Sequence, residues 1–171
     1  MTTTHSIALY QLGARSLKTY LFALLFIVGN ILLPQLCHLV PQGGLILLPI
    51  YFFTLVGAYK YGFTVGLLTA VLSPLVNNLL FGMPAAPMLL TIMIKGTLLA
   101  GVAAFVASRT KKVSLLGLIA VVLLAQCLGM LWEWAYTSSL SAALQDFRLG
   151  WPGLLLQIFG GFLLLSYVLK K

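Results

Sequence analysis

The sequence is poor in acidic residues, with two Asp or Glu among 171 residues against ten Lys or Arg. Charged residues of both signs make up 7% of the chain, hydrophobic residues make up 61%, and the mean hydropathy is +1.10. A soluble domain carries about 25% charged residues. The composition therefore excludes an ordinary soluble protein and predicts an all-α membrane protein in which residues 1–171 form a single domain.

Sequence patterns of the common catalytic and metal sites are also absent. There is no Walker A or HExxH pattern, no Ser-His-Asp order and no acidic pair. Cys37 and Cys127 lie in different apolar segments, which favours two small buried side chains over a disulfide or a metal site. His5 and His38 stand alone. We therefore expect no enzymatic activity, no metal and no cofactor.

The net charge of +8 does not indicate nucleic-acid binding. The basic residues lie in short connections and near the chain ends, without a basic stripe interleaved with aromatic residues. We expect the lipid bilayer, and no nucleic acid, as a partner.

Apolar runs near the length of about 20 residues that a membrane span requires predict six transmembrane helices. Their approximate bounds are 18–38, 44–60, 62–82, 88–107, 114–136 and 152–169. The second run is short and contains Pro49, and Pro34 and Pro74 interrupt the first and third. Broken helices are tolerated where their free backbone groups face protein or a cavity.

Six spans place eight of the ten basic residues on one side of the membrane. These residues are Arg15, Lys18, Lys60, Arg109, Lys111, Lys112, Lys170 and Lys171. Arg148 is on the other side, and Lys95 is inside a helix. Because cytoplasmic loops are enriched in Lys and Arg, this distribution predicts that both termini are cytoplasmic.

The polar side chains of the predicted spans gather in the outward half of the bilayer. They come from five helices and are Asn30, Asn77, Asn78, Lys95, Gln126, Glu133 and Gln157. A cavity that opens to the outside explains the shared depth, whereas separate interhelical hydrogen bonds are the alternative. We favour hydrogen bonds for Asn30 and Gln157, and a cavity for Lys95 with Glu133. A structural ion pair between Lys95 and Glu133 is the open alternative for that pair.

Glu133 is the most informative of these residues because a carboxylate at membrane depth costs roughly 2.5–3.5 kcal/mol. Such a side chain normally faces a bundle interior or a cavity. Its neighbours Trp132 and Trp134 can stack on a ligand or lie at the membrane interface. Gln126, Met130, Glu133 and Tyr136 or Thr137 form one stripe of the helix. The predicted binding residues are Glu133, Lys95, Trp132, Trp134, Asn77, Asn78, Tyr136, Gln126 and Gln157.

The segment from Leu48 to Gly66, which runs on through Ala70 to Pro74 and Asn77, carries a family resemblance. It joins the end of the second helix to a G-x-x-x-G-x-x-x-A pattern on the third, with a polar residue near the outer end. The chain resembles the substrate-binding S component of an energy-coupling factor (ECF) vitamin transporter in this pattern, in its size and in its predicted topology.

The resemblance implies a high-affinity binding subunit for a vitamin or cofactor precursor in a prokaryotic cytoplasmic (inner) membrane. A thiamine-like heteroaromatic compound is the preferred substrate, and a larger corrinoid stays open. A transmembrane coupling subunit with two ATPases would be the partner. The family's pocket includes the loop between helices one and two, here His38 to Gly44, which adds His38 and Gln42 to the predicted site.

Helix one departs from the family in lacking its A-x-x-x-A docking pattern, since Ile27 follows Ala23 four residues on. The alternative interpretation is a non-transport membrane scaffold of similar shape, such as an MreD-like protein that acts through protein partners. A scaffold predicts that Lys95 and Glu133 pair with each other and leave no ligand-sized void.

Overall fold

The computed structural model describes residues 4–5 and 9–168, and 82% of it is helical. Its long helices are α1 (Leu17–Cys37), α4 (Phe63–Phe81), α5 (Ala86–Thr110), α6 (Leu115–Thr137) and α9 (Trp151–Val168). Its shorter elements are β1 (Thr4–His5), α2 (Gly43–Leu47), a 3₁₀ turn (Pro49–Tyr51), α3 (Phe52–Tyr61), β2 (Val113–Ser114), α7 (Leu140–Ala143) and α8 (Gln145–Arg148).

Five helices within the described part of the chain are long and apolar enough to cross a membrane, with mean hydropathies between 1.5 and 2.3. They are α1, α4, α5, α6 and α9, and each lies in one of the predicted spans. The chain is therefore a multi-pass membrane protein. The six-span count remains a prediction, because the remaining span, 44–60, is broken into shorter elements.

The break in the second predicted span occurs at Leu48 and Pro49. Leu48 adopts a left-handed backbone conformation with φ 45°, and Pro49 has no N–H to continue a helical hydrogen-bond pattern. The chain resumes as α3, whose 10 residues extend about 15 Å. Pro49 was predicted to lie inside one short span, whereas the structure has two helices joined by a 3₁₀ turn.

α3 forms the centre of the bundle and packs against α1, α4 and α5. Its residues Leu55, Val56 and Ala58 have no exposed surface. Small residues allow the closest helix approach there: a Cβ on Gly66 would clash with Ala58 and lie 2.9 Å from the Cβ of Ala100. The G-x-x-x-G-x-x-x-A pattern that contains Gly66 therefore serves internal packing at this position.

A buried hydrogen-bond network on the other side of α3 involves Asn30. Its amide nitrogen donates to Thr54 Oγ1 at 3.2 Å and to Ser73 Oγ at 3.3 Å. Its amide oxygen accepts the backbone N–H of Phe53 at 3.2 Å, a first-turn donor that has no partner inside its own helix. Asn77 joins the network by donating to the Asn30 carbonyl at 3.0 Å. The interhelical interpretation of Asn30 is therefore confirmed.

The N-terminal segment, the end of α3 and the connection from α5 to α6 meet at one end of the bundle. β1 pairs antiparallel with β2, and the backbone N–H of Tyr10 donates to the Lys60 carbonyl at 2.8 Å. Lys60, predicted to lie in a turn, is instead a fully buried residue in the last turn of α3, where a cation interacts favourably with the helix C-terminus. Lys170 and Lys171 lie outside the described residues.

The last helix, α9, runs parallel to α3. A Cβ at Gly153 would meet Leu47 and Leu48, whereas one at Gly161 would contact Leu55. α9 therefore leads from the end of the bundle that holds α2 toward the end that holds β1 and β2, which we call the basic end.

Replacement of Gly66 by Ala should lower the free energy of unfolding by about 1–3 kcal/mol, since the added methyl group has no space between α3 and α5. Thermal unfolding of the purified protein in detergent measures the change. Gly101→Ala is the matched control, because its Cβ would meet no atom closer than 3.8 Å. Equal stability of the two variants would show that the helix approach at Gly66 is not tight.

Candidate functional site

Both acidic residues of the chain meet one lysine at the end of the bundle opposite the basic end. Lys95 Nζ donates a hydrogen bond to Asp146 Oδ2 at 2.7 Å. The same ammonium forms an ion pair with Glu133 Oε2. Gln126 Nε2 donates to Asp146 Oδ2 at 2.7 Å. We call Lys95, Glu133 and Asp146 the ion cluster.

Three separate elements bring the ion cluster together. Lys95 lies on α5, Glu133 lies on α6, and Asp146 lies on α8 in the connection from α6 to α9. Gly129 makes room for the lysine, because a Cβ there would lie 2.9 Å from Lys95 Cγ. Gln126, Gly129 and Glu133 share one stripe of α6, so this helix face is shaped to receive the lysine.

The ion cluster is largely shielded from solvent. The side chains of Lys95, Glu133 and Asp146 are 7%, 17% and 13% exposed, respectively. A charge that is this deeply buried requires a direct partner, because its loss of hydration costs on the order of several kcal/mol per ion. The mutual contacts of the three groups supply these partners.

A cavity of about 260 Å³ lies against the ion cluster. Its walls come from α2, the 3₁₀ turn, α5, α6, α7 and α8. The lining residues are Gly44, Leu45, Leu48, Ile50, Tyr51, Pro87, Met88, Thr91, Ile92, Lys95, Glu133, Tyr136, Thr137, Ala142, Gln145 and Asp146. Mostly apolar walls with a few convergent polar groups are typical of small-molecule sites.

Five of the predicted binding residues lie at this cavity or directly beneath it. Lys95, Glu133 and Tyr136 line the cavity. Gln126 donates a hydrogen bond to the ion cluster. Gln126, Gln157 and Lys95 together line a second, smaller space of about 10 Å³. The amide nitrogen of Gln157 is buried without a hydrogen-bond partner among the described residues, which does not support the interhelical hydrogen bond that we favoured for it.

The two predicted tryptophans do not line the cavity. The Trp132 ring stacks on Tyr136 with ring centres 5.7 Å apart and an interplanar angle of 12°, so it supports the cavity wall from behind. Trp134 is 50% exposed on the surface of the bundle. Consecutive helix residues point about 100° apart, so the neighbours of Glu133 cannot share its direction.

Four further predicted residues also lie outside the cavity. Asn77 belongs to the Asn30 network, and Asn78 Nδ2 donates to the Pro84 carbonyl at 2.8 Å. His38 and Gln42 are exposed residues of the connection between α1 and α2. Depth in the membrane was the signal for the asparagines, and depth does not specify which side of α3 a side chain faces.

Asp146 was not among the predicted binding residues, although it meets Lys95 together with Glu133. Asp146 lies in the connection between two predicted spans, where an acidic residue is common and does not by itself indicate a binding site. The available signal was its rarity, because Glu133 and Asp146 are the two acidic residues of the whole chain. Tyr51, Thr91 and Gln145 of the cavity wall were also missed, since isolated polar residues carry no periodic signal.

The site presents carboxylates and aromatic rings, without the residues of a metal centre. Among the described residues no group of three or more His, Cys, Asp or Glu could hold a metal ion. Cys37 is buried in α1 and Cys127 is exposed on α6, and both are free thiols. The arrangement is suited to holding a small molecule through charge, hydrogen bonds and ring contacts.

Comparison with known proteins gave no match to a family model, to a curated protein or to a solved structure. The helices and the cavity therefore define the molecule by their own physical properties. They describe a multi-pass membrane protein with a ligand-sized cavity beside a buried ion cluster.

Lys95→Met should reduce the free energy of unfolding by about 3 kcal/mol, because it leaves two carboxylates without a counter-charge at a shielded site. Addition of Glu133→Gln and Asp146→Asn to this variant should restore most of the loss. Thermal unfolding in detergent is the measurement, and Lys111→Met at an exposed position is the control. A fully stable Lys95→Met single variant would show that the fold does not depend on the ion cluster.

Proposed function

We propose that this chain is a membrane-embedded binding subunit for the uptake of a vitamin or cofactor precursor. The observation that carries the proposal is the cavity beside the ion cluster, which brings together Lys95, Glu133 and Asp146 from three elements. A buried ion cluster is weak as a source of stability. Intramembrane ionisable residues that border a cavity are typical of substrate sites.

The resemblance to ECF S components supports the same proposal. It implies a pocket near one face of the membrane, formed by the loop between helices one and two together with later helices. The cavity uses α5 and α6 in this way, but of the His38 to Gly44 loop it includes only Gly44. The connection that carries α7 and α8 supplies a further wall.

The size of the cavity favours a compact substrate. Its volume of about 260 Å³ lies just below the range of roughly 300–1,000 Å³ that is usual for small-molecule sites. A single heteroaromatic compound of thiamine-like dimensions suits this space better than a corrinoid, which would require the walls to move apart. Tyr51 and Tyr136 offer rings on which such a compound can stack.

We further propose six spans with both termini cytoplasmic, in a prokaryotic cytoplasmic membrane. The meeting of the N-terminal segment with the end of α3 at Lys60 and with the connection at Lys111–Lys112 supports this orientation, because cytoplasmic ends are enriched in basic residues. The cavity, at the opposite end of the bundle, then faces outward. In this topology the broken segment from α2 to α3 provides the second crossing.

Uptake against a gradient requires an energy source such as ATP hydrolysis, and this sequence contains no Walker A pattern for it. A transmembrane coupling subunit with two ATPases is the partner that the resemblance implies. The missing A-x-x-x-A pattern at Ala23 of α1 means that docking would use another face of the bundle.

The ion pair between Lys95 and Glu133 favours one alternative, an MreD-like scaffold. That interpretation expects the pair and also the absence of a ligand-sized void. The pair is present, but a cavity lies beside it and both residues line it. The binding function therefore accounts for both observations, whereas the scaffold accounts for one of them.

The purified protein should carry a small molecule at a ratio near one per chain after extraction in mild detergent. Mass spectrometry of the denatured preparation against an empty-vector preparation identifies it. A preparation that yields no such compound, and that binds none from a panel of vitamins and precursors, would contradict the uptake function.

The orientation predicts different accessibility of two single cysteines in a variant that lacks Cys37 and Cys127. Ser141→Cys, near the cavity, should react with a membrane-impermeant maleimide in intact cells, whereas Lys111→Cys should react only after permeabilisation. Both positions are exposed, so burial does not bias the comparison. Reversed labelling would show that the basic end faces outward.

A further inference from the structure

We propose that the ligand of the cavity beside the ion cluster is an organic cation, with its positive charge placed against Glu133 and Asp146. This inference rests on the proposed binding function and extends it to the charge of the substrate. Three observations carry it: the charge balance of the ion cluster, the oxygens left free by its contacts, and the aromatic walls.

The first observation is the charge balance. Glu133 and Asp146 carry two formal negative charges, and Lys95 carries one positive charge. Among the described residues that line the cavity, Lys95 is the one cationic side chain. The cavity therefore has a surplus of one negative charge, although the chain as a whole has a net charge of +8.

A surplus charge at a shielded site is unfavourable without a partner, because the protein interior screens it far less than water does. A cationic ligand would supply that partner and would gain the same attraction. A ligand carboxylate or phosphate would have to displace Glu133 or Asp146 from Lys95. The charge balance thus assigns Lys95, a predicted binding residue, the role of an organiser of two carboxylates.

The second observation concerns the carboxylate oxygens. The contacts with Lys95 and Gln126 all use Oδ2 of Asp146 and Oε2 of Glu133. Within the described chain, the second oxygen of each carboxylate accepts no hydrogen bond. Two acceptors beside the cavity are thereby available to the N–H groups or the positive charge of a ligand.

The third observation is the aromatic wall. Tyr51 and Tyr136 both line the cavity, and Trp132 stacks behind Tyr136 at 5.7 Å. The faces of such rings attract ammonium and heteroaromatic cations, most strongly where water is excluded. Carboxylates together with ring faces form a site that distinguishes a cation from a neutral compound of the same shape.

Matched ligands test the charge directly. Choline and its neutral isostere 3,3-dimethylbutan-1-ol form one pair, and 1-methylnicotinamide, nicotinamide and nicotinate form a cationic, neutral and anionic series. Apparent Kd values come from ligand-induced thermal stabilisation of the detergent-purified wild-type protein. The cation should bind about tenfold more tightly than its neutral counterpart in at least one set, and the anion should bind most weakly.

The outcomes separate the two proposals. If a neutral or anionic compound binds as tightly as its cationic counterpart, the inference is overturned while the binding function stands. If no compound of either set binds and no molecule co-purifies with the protein, the cavity is not a binding site and both proposals fall.

Glu133→Gln removes the surplus charge at nearly constant size, so it should abolish most of the preference for the cation and leave the affinity for the neutral isostere within about twofold. Leu131→Val, at an exposed position on the same helix, should keep the preference. Asp146→Asn is a second, independent variant if the first does not fold. A preference that survives both charge removals would refute the assignment of the cation to these carboxylates.

Discussion

The burial of the Lys95 ammonium in an apolar bundle is the constraint on which this site depends. A side chain that is 7% exposed cannot keep its charge without direct partners. The chain contains two carboxylates and the structure brings both to this lysine. One of them comes from α6 and the other from α8, so the ion cluster ties the connection between α6 and α9 to the body of the bundle.

The cavity itself originates from the break in the chain at Leu48 and Pro49. The left-handed backbone of Leu48 ends α2, and Pro49 has no N–H to resume the helical hydrogen-bond pattern, so α2 and the 3₁₀ turn replace a continuous helix. The free N–H of Phe53 that results is satisfied by Asn30 on the far side of α3. On the opposite side of α3, the short elements α2 and the 3₁₀ turn face α5 and α6, and the space between them is the cavity.

Much of this architecture follows from single-residue properties and was predictable. Hydropathy located the long helices. Pro49 marks the break in the second predicted span, but the prediction that Pro34 and Pro74 interrupt their spans was wrong, because both lie inside the continuous helices α1 and α4. The rarity of charge in apolar segments identified Lys95 and Glu133 as the centre of the site. Asn77 and Trp134 were predicted as binding residues from depth along a helix and from sequence adjacency, and neither of them lines the cavity. Neither quantity specifies the direction in which a helical side chain points.

Composition and hydropathy are enough to identify an apolar helical membrane protein and the charged residues that its helices carry. These properties are local, since each segment exchanges water for lipid largely independently of the others. The packing of the helices, in contrast, determines that Asp146 completes the ion cluster, that Asn30 and Asn77 belong to a separate network, and that a cavity remains beside Glu133. Those outcomes depend on how each helix is rotated about its axis. Rotation is determined by contacts between distant residues, such as the close approach of Gly66 to Ala58 and Ala100.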